Sequence, residues 1–386
     1  MGSADESESS NTVQRKSIKI VLQSTISSVA LLADGQQFLS GDKNGKIRRW
    51  WMEDGKGVGA LDAGSAVRCL ATSQDGKWIA AGMESGLVTV WNAKSRKELR
   101  RFAREKGANS VDISSDGTKI AIAWDDKTVE VCSLPDGKAL CDWGYYDFHT
   151  IKFSPDGLLF ACGADEWDLS FLCIYDTRGG KPLGGSLISA IRSVAWASDS
   201  KQLFALSSDG DIHCVDVSSG ETLSQWSIHS NDNPTCISLS SNGAFIAASA
   251  NSSVSFWDTS THEQIGSVIR HPGSVNSMAI SPNYDLVIAG NLIIALWDMF
   301  DVFFTPNNQV SEFGLHSQFA LLTTAETGYR LSDHWSIFER YDQQAPFPAR
   351  RRSVHSQTEG RCPTKHHQVI TCRSCCTEHH VQYVLC

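Results

Sequence analysis

The chain has 386 residues, 41% of them hydrophobic and 20% charged, with a formal net charge of −9. This is ordinary globular usage with enough apolar material for a large core, which excludes collagen-like, wholly disordered and polytopic membrane proteins. No run approaches the ~18 apolar residues of a membrane-spanning helix, and the opening MGSADESESS is acidic and Ser-rich where a signal peptide is basic then apolar, so the expected compartment is cytosol or nucleus.

Charge and cysteine are unevenly spread. Seven Lys/Arg and three Asp/Glu lie between Arg340 and Cys386, leaving 27 basic and 40 acidic residues before them. An acidic body argues against nucleic acid and membrane surfaces as partners. Seven of the 12 cysteines (Cys69, Cys132, Cys141, Cys162, Cys173, Cys214, Cys236) stand in apolar, strand-like contexts and read as small buried hydrophobes in a reducing compartment.

In chain order, residues 1–16 have no apolar period and read as a disordered acidic arm. SIKIVL at 17–22 reads as a lone strand, and a turn of the form Ser-x-Asp-Gly then recurs with decay at Asp34, Asp75, Asp116, Asp156, Asp199, Asn242 and Asn283, 40 to 43 residues apart. A second landmark follows each turn after 14 to 19 positions: Trp50, Trp91, Val131, Tyr175, Val215, Trp257 and Trp297, often with Asp or Asn next. Alternating apolar residues precede each turn, as in Ile26, Val29 and Leu31, which predicts a strand with one buried face. Compact apolar-small runs such as WIAAG at 78–82 predict inner strands packed on both sides, and polar turns then lead to outer strands such as KELRRF. Four strands per ~40 residues, repeated seven times, is the signature of an all-β propeller.

Through these two landmarks, 17–298 resembles a seven-bladed WD40 β-propeller, with the general pattern of the WD40 domains abundant in fungi, including those of incompatibility-type signalling proteins; no nucleotide-binding domain stands before it in this sequence. The resemblance implies that the strand at 17–22 completes the seventh blade, which otherwise ends at Trp297 without an outer strand. One departure is the absence of any Gly-His dipeptide; only His271 stands near that position. The hydrogen-bonded Asp-His-Ser-Trp set of regular members is therefore mostly missing.

No nucleophile-base pair, phosphate loop or metal-protease motif occurs in the repeats, so no enzyme activity, catalytic residue or cofactor is expected. The resemblance places partner binding on the face made by the outer-to-inner and second-to-third strand loops. Seven positions before each turn Asp or Asn stand Ser27, Arg68, Asn109, His149, Arg192, Thr235 and Asn276, with Asp147 and Asn233 two residues earlier than their neighbours. From these, Arg68, Asn109, Asp147, His149, Arg192 and Asn276, together with Trp167, are the candidate contacts for partner proteins or peptides, against the alternative of plain solvated loops. Trp167 lies in a lengthened stretch of repeat four, GADEWDLS at 163–170, where it either anchors a partner or folds back to cap its own blade. Tyr175-Asp176-Thr177-Arg178 resembles the Trp-Asp-x-Arg element by which some WD40 substrate receptors dock to a cullin ligase adaptor, and equally fits an ordinary strand end and turn. The function expected is an interaction scaffold, a monomeric propeller within a complex, with a ubiquitin-ligase substrate receptor as the alternative.

After residue 298 the repeat stops: 299–342 is an extension without phase, and 343–386 a basic Cys/His-rich tail expected to be disordered. Its Cys372 and Cys375 form a chelating pair, with Cys362 and His379 among possible partners for zinc, but a single pair is a weak zinc signature. A reactive tail or the product of a misassigned exon reads the same way.

Overall fold

The computed structural model describes residues 17–299 apart from 145, 166–170, 179, 181, 189 and 229–232. Twenty-eight strands form seven four-stranded antiparallel sheets. The innermost strands, in blade order, are Ile26–Leu31, Val67–Thr72, Ala108–Ile113, Asp147–Phe153, Ile191–Trp196, Pro234–Leu239 and Ser277–Ile280. Each touches the next, and the seventh returns to the first, so the ring is closed. The outer strand of blade 7 is Ser17–Val21, paired antiparallel to Ile293–Asp298 with Ser17 opposite Trp297. The expected closure by the amino-terminal strand is therefore the one observed.

The Ser-x-Asp-Gly turn works as a self-contained hairpin. In blade 3, Ser114 Oγ donates to Asp116 Oδ1 at 2.6 Å, the Lys119 amide donates to Ser114 Oγ at 2.9 Å, and Gly117 takes φ of 68°. Asx and ST chemistry thus replaces ladder hydrogen bonds at the reversal, and glycine supplies the left-handed residue without a Cβ clash. The carboxylate or amide after the second landmark plays the same part at the opposite hairpin: Asp258 Oδ1 accepts from the amides of Ser260 and Thr261 at 2.8 and 2.9 Å.

The core is a circle of apolar wedges between adjacent blades. Leu39, Ile47, Val67, Leu70, Met83 and Trp91 fill the first seam, and Ile26, Phe38, Trp50, Ile294 and Leu296 the closing one. The small residues ending each second strand make room for the neighbouring blade. A Cβ on Gly41 would fall 2.5 Å from Val67 Cγ1, and one on Gly163 2.5 Å from Ile191 Cβ. Of the hydrogen-bond set the resemblance called for, blade 1 keeps a part: buried Trp50 Nε1 donates to Ser40 Oγ at 2.9 Å, and buried Asp42 accepts the amides of Asn44 and Lys46 and pairs with Arg48. His271 is buried, but its Nδ1 meets Gly273 within its own loop.

Candidate functional site

The site is built at the first residues of the inner strands. In blades 1 to 5 the ladder skips one residue there, between Ile26 and Ser28, Val67 and Cys69, Ala108 and Ser110, Phe148 and Thr150, and Ile191 and Ser193. The skipped residues are Ser27, Arg68, Asn109, His149 and Arg192. A bulge twists the strand and re-aims the residue it frees, here toward the mouth of the central channel.

Loops on that face are zipped in pairs. Amides of Lys43, Glu84, Asp125, Ser208 and Asn251, all between second and third strands, donate to carbonyls of Thr25, Ala66, Gly107, Ala190 and Asn233 at 2.7 to 3.0 Å. Paired loops hold the mouth in one conformation before any partner arrives.

Over blades 7, 1 and 2 the mouth opens into a cavity of about 430 Å³ lined by Thr25, Ser27, Lys43, Ala66, Val67, Arg68, Glu84, Asn276 and Asn291. Arg68 spans it: Nη1 lies 3.1 Å from both Asn109 Oδ1 and Asp125 Oδ2, and Nη2 lies 3.9 Å from Glu84. With a third of its side chain exposed, it is held in place yet reachable from solvent. Asn109 Nδ2 donates to the Phe148 carbonyl at 3.2 Å and Asn276 Nδ2 to the Ile26 carbonyl at 2.7 Å, so both amides fasten one blade to the next. Arg192 is exposed, while Asp147 and His149 are half-buried.

Ser27, Arg68 and Asn276 are thus brought to one cavity; Asn109 touches it through Arg68, and Asp147, His149 and Arg192 stand on blades 4 and 5 of the same face. Trp167 lies outside the described residues. Tyr175, Asp176 and Arg178 belong to the other end. Tyr175 is buried against Phe160 with ring centroids 5.3 Å apart, Asp176 Oδ1 accepts the Arg178 amide at 2.6 Å, and the Arg178 residue is exposed. Cys362, Cys372, Cys375 and His379 lie outside the described residues, among which no cluster of metal-ligand side chains occurs.

Counting by seven overlooked Lys43, Glu84 and Asp125. A second count would have found them, since each stands nine residues after its turn Asp. Counting by six would have found the inter-blade seam: Ser28, Cys69, Ser110, Thr150, Ser193, Cys236 and Ser277 are all Ser, Thr or Cys. Oγ of Ser28, Ser110, Ser193 and Ser277 accepts a backbone amide from the next blade at 3.1 to 3.2 Å.

A profile of the WD domain, G-beta repeat, matches residues 16–50, 56–92 and 262–298, each covering the outer strand of one blade and the three inner strands of the next. The chain belongs to the WD40-repeat family. A profile described as the anaphase-promoting complex subunit 4 WD40 domain matches residues 184–242 of the same WD40 propeller. Among its relatives, the WD repeat-containing protein SL1-17 of Schistosoma mansoni is 26% identical over 40% of this chain and 51% of its own. The transcriptional corepressor LEUNIG_HOMOLOG of Arabidopsis thaliana is 23% identical over 61% of this chain and 30% of its own. WD repeat-containing protein 1 of Gallus gallus is 29% identical over 51% and 34%. The chain thus spans about half or less of the length of these relatives. The fold is a WD40 propeller of the kind that serves as a protein-interaction scaffold.

Proposed function

We propose that this WD40 propeller is a non-enzymatic scaffold that holds a partner peptide across the channel mouth, with Arg68 at the centre of the contact. The supporting observation is the cavity of about 430 Å³ in which Arg68 is fixed by two side chains of blade 3, Asn109 and Asp125, yet remains open to solvent. A guanidinium already oriented loses little conformational freedom when it meets a carboxylate or carbonyl, which favours binding without ordering the scaffold. Lys43 and Asn291 supply further donors on the same wall, and on this reading the exposed Arg192 of blade 5 adds a second cation on the same face. On this reading the protein works as a monomeric propeller inside a larger complex in the cytosol or nucleus.

The test is affinity purification with mass spectrometry from native extract, comparing wild type with Arg68→Glu, Arg192→Glu after circular dichroism has verified the fold. Partners lost only with the double variant support the mouth. Identical partner lists refute it, and loss on Arg178→Ala instead assigns the work to the opposite rim, as a ligase receptor requires.

A further inference from the structure

On the opposite rim, the hairpins between third and fourth strands share one feature: a residue with left-handed backbone. In blades 1, 3, 4 and 5 it is Gly55, Gly137, Gly180 and Gly220, at φ of 62° to 73°. Blades 2 and 6 place Arg96 and His262 there, at φ of 57° and 60°, in a conformation that L-residues disfavour. The Arg96 side chain runs back over blade 1, where a Cβ on Gly59 would lie 2.5 Å from Arg96 Nη1. Gly59 is the ladder partner of Arg49, and Arg49 and Arg96 line one small cleft with Ala60, Leu61 and Ala93. Arg49 Nε donates to Gln37 Oε1 and its Nη1 to the Ala93 carbonyl at 3.3 Å, and among the described residues no carboxylate bridges the two guanidinium groups of the seam. Asp34 is the acid that acts on Arg49, and its Oδ1 already accepts the amides of Gln36 and Gln37. Burial first, and then the Arg96 charge, push the Arg49 pKa down, while Asp34 opposes the shift.

The surroundings add charge of the same sign. Lys94 and Lys97 flank Arg96, are exposed, and make no ion pair with a described residue. From residue 94 to 106 there are seven basic residues and two acidic ones in a protein of net charge −9. The outer strand that follows, Glu98–Ala103, ends its sheet and leaves one edge open. Protection of edges by charge does not account for a cluster of this size, because the outer strands of blades 1, 3, 4 and 5 (GVGALD, ALCDWG, PLGGSL and TLSQWS) contain no Lys or Arg and those of blades 6 and 7 contain one each, Arg270 and Lys19.

We infer that the Arg49–Arg96 seam with Lys94 and Lys97 is a second docking site, and that its occupant is an acidic peptide segment lying extended along the open edge of blade 2. A carboxylate between the two guanidinium groups bridges both cations, as Asp34 does not, and the peptide backbone adds to the free edge of Glu98–Ala103. The patch is one blade wide, and the rest of the propeller is acidic. A lipid surface or a nucleic acid, spreading over more than one blade, meets that acidic body within a Debye length of about 8 Å; a short peptide does not.

The experiment uses the full chain and a fluorescein-labelled peptide of alternating glutamate and serine, with a glutamine-serine peptide, phosphatidylserine vesicles and duplex DNA as comparators in fluorescence anisotropy and flotation. Binding of the glutamate peptide alone, falling steeply with salt and weakened about tenfold by Arg96→Gln, Lys97→Gln, supports the site. The exposed pair Lys94→Gln, Lys97→Gln weakens it severalfold without touching the seam. Equal binding by wild type and both Gln variants overturns the proposal, as does binding of vesicles or DNA in preference to the peptide.

Discussion

Substituting Gly41 by alanine tests whether the small residues closing the second strands are spacers between blades. The added methyl would stand 2.5 Å from Val67 Cγ1, 3.0 Å from Val67 Cβ and 3.2 Å from Leu70 Cδ1. Overpacking of that kind costs about 1–3 kcal/mol, and replacing a strand glycine returns about 0.5–1 kcal/mol of backbone entropy, for a net loss of about 1–2 kcal/mol. Val67 is 1% exposed, so Val67→Ala by itself costs about 2 kcal/mol in transfer and cavity terms. That substitution removes the Cγ1 atom with which the new methyl collides. The double variant should therefore be no less stable than Val67→Ala alone, giving a coupling energy of about 1–2 kcal/mol. Thermal unfolding followed by circular dichroism reads this as a drop of about 2–4 °C for Gly41→Ala, absent on the Val67→Ala background. Additive shifts, or an unchanged midpoint for Gly41→Ala, would refute the spacer reasoning.

Three further outcomes are expected. Ser40→Ala leaves the buried Trp50 Nε1 without its 2.9 Å acceptor and should cost about 1–2 kcal/mol, part of which Trp50→Phe on the same background restores; denaturant titration of the four proteins checks this. Deleting residues 1–22 removes the outer strand of blade 7 and uncovers the apolar surface under Ile18, Ile20 and Leu22, which should lower stability by about 3–5 kcal/mol and expose dye-binding surface. Burial, with Glu130 adding to it, pushes the Cys132 thiol from 9.0 up to about 12, and burial moves Cys141 to about 11. Above pH 9 the unfolded chain releases thiol protons that the folded one keeps, so the contribution of these two cysteines should be constant below about pH 8 and stability should fall from pH 9 toward 12. Denaturant midpoints at both ends of that range should differ less for Cys132→Ser than for wild type.

The blades were legible because each repeat carries two marks in one phase, the turn Asp or Asn and the aromatic or β-branched residue after it. Those marks sit where local chemistry is self-sufficient, in hairpins closed by their own side chains. Closure by Ser17–Val21 followed from an unmatched strand at one end and a missing one at the other. What the sequence did not disclose depends on neighbours far along the chain. Arg68 meets Asp125 across 57 residues, and only the ring geometry brings them together. Likewise Arg96 occupies a glycine position, a substitution visible in the aligned hairpins but without meaning until Arg49 is seen beside it. The seam hydroxyls were readable all along at a constant offset, one residue from the count that was used.

The closing pair of strands also sets an order of events during synthesis. Ser17 leaves the ribosome long before Trp297, its partner in the ladder. At about 5–20 residues per second, roughly a quarter of a minute to a minute passes before that partner exists. Throughout this interval the first strand is a β-edge without a mate, while six blades form behind it. Lys19, exposed in the middle of that strand, is well placed to keep it from pairing with another chain meanwhile. The last blade is thus a clasp whose two halves are made on either side of the other six blades, and the nascent chain is most vulnerable to exchange of that strand between molecules just before it shuts.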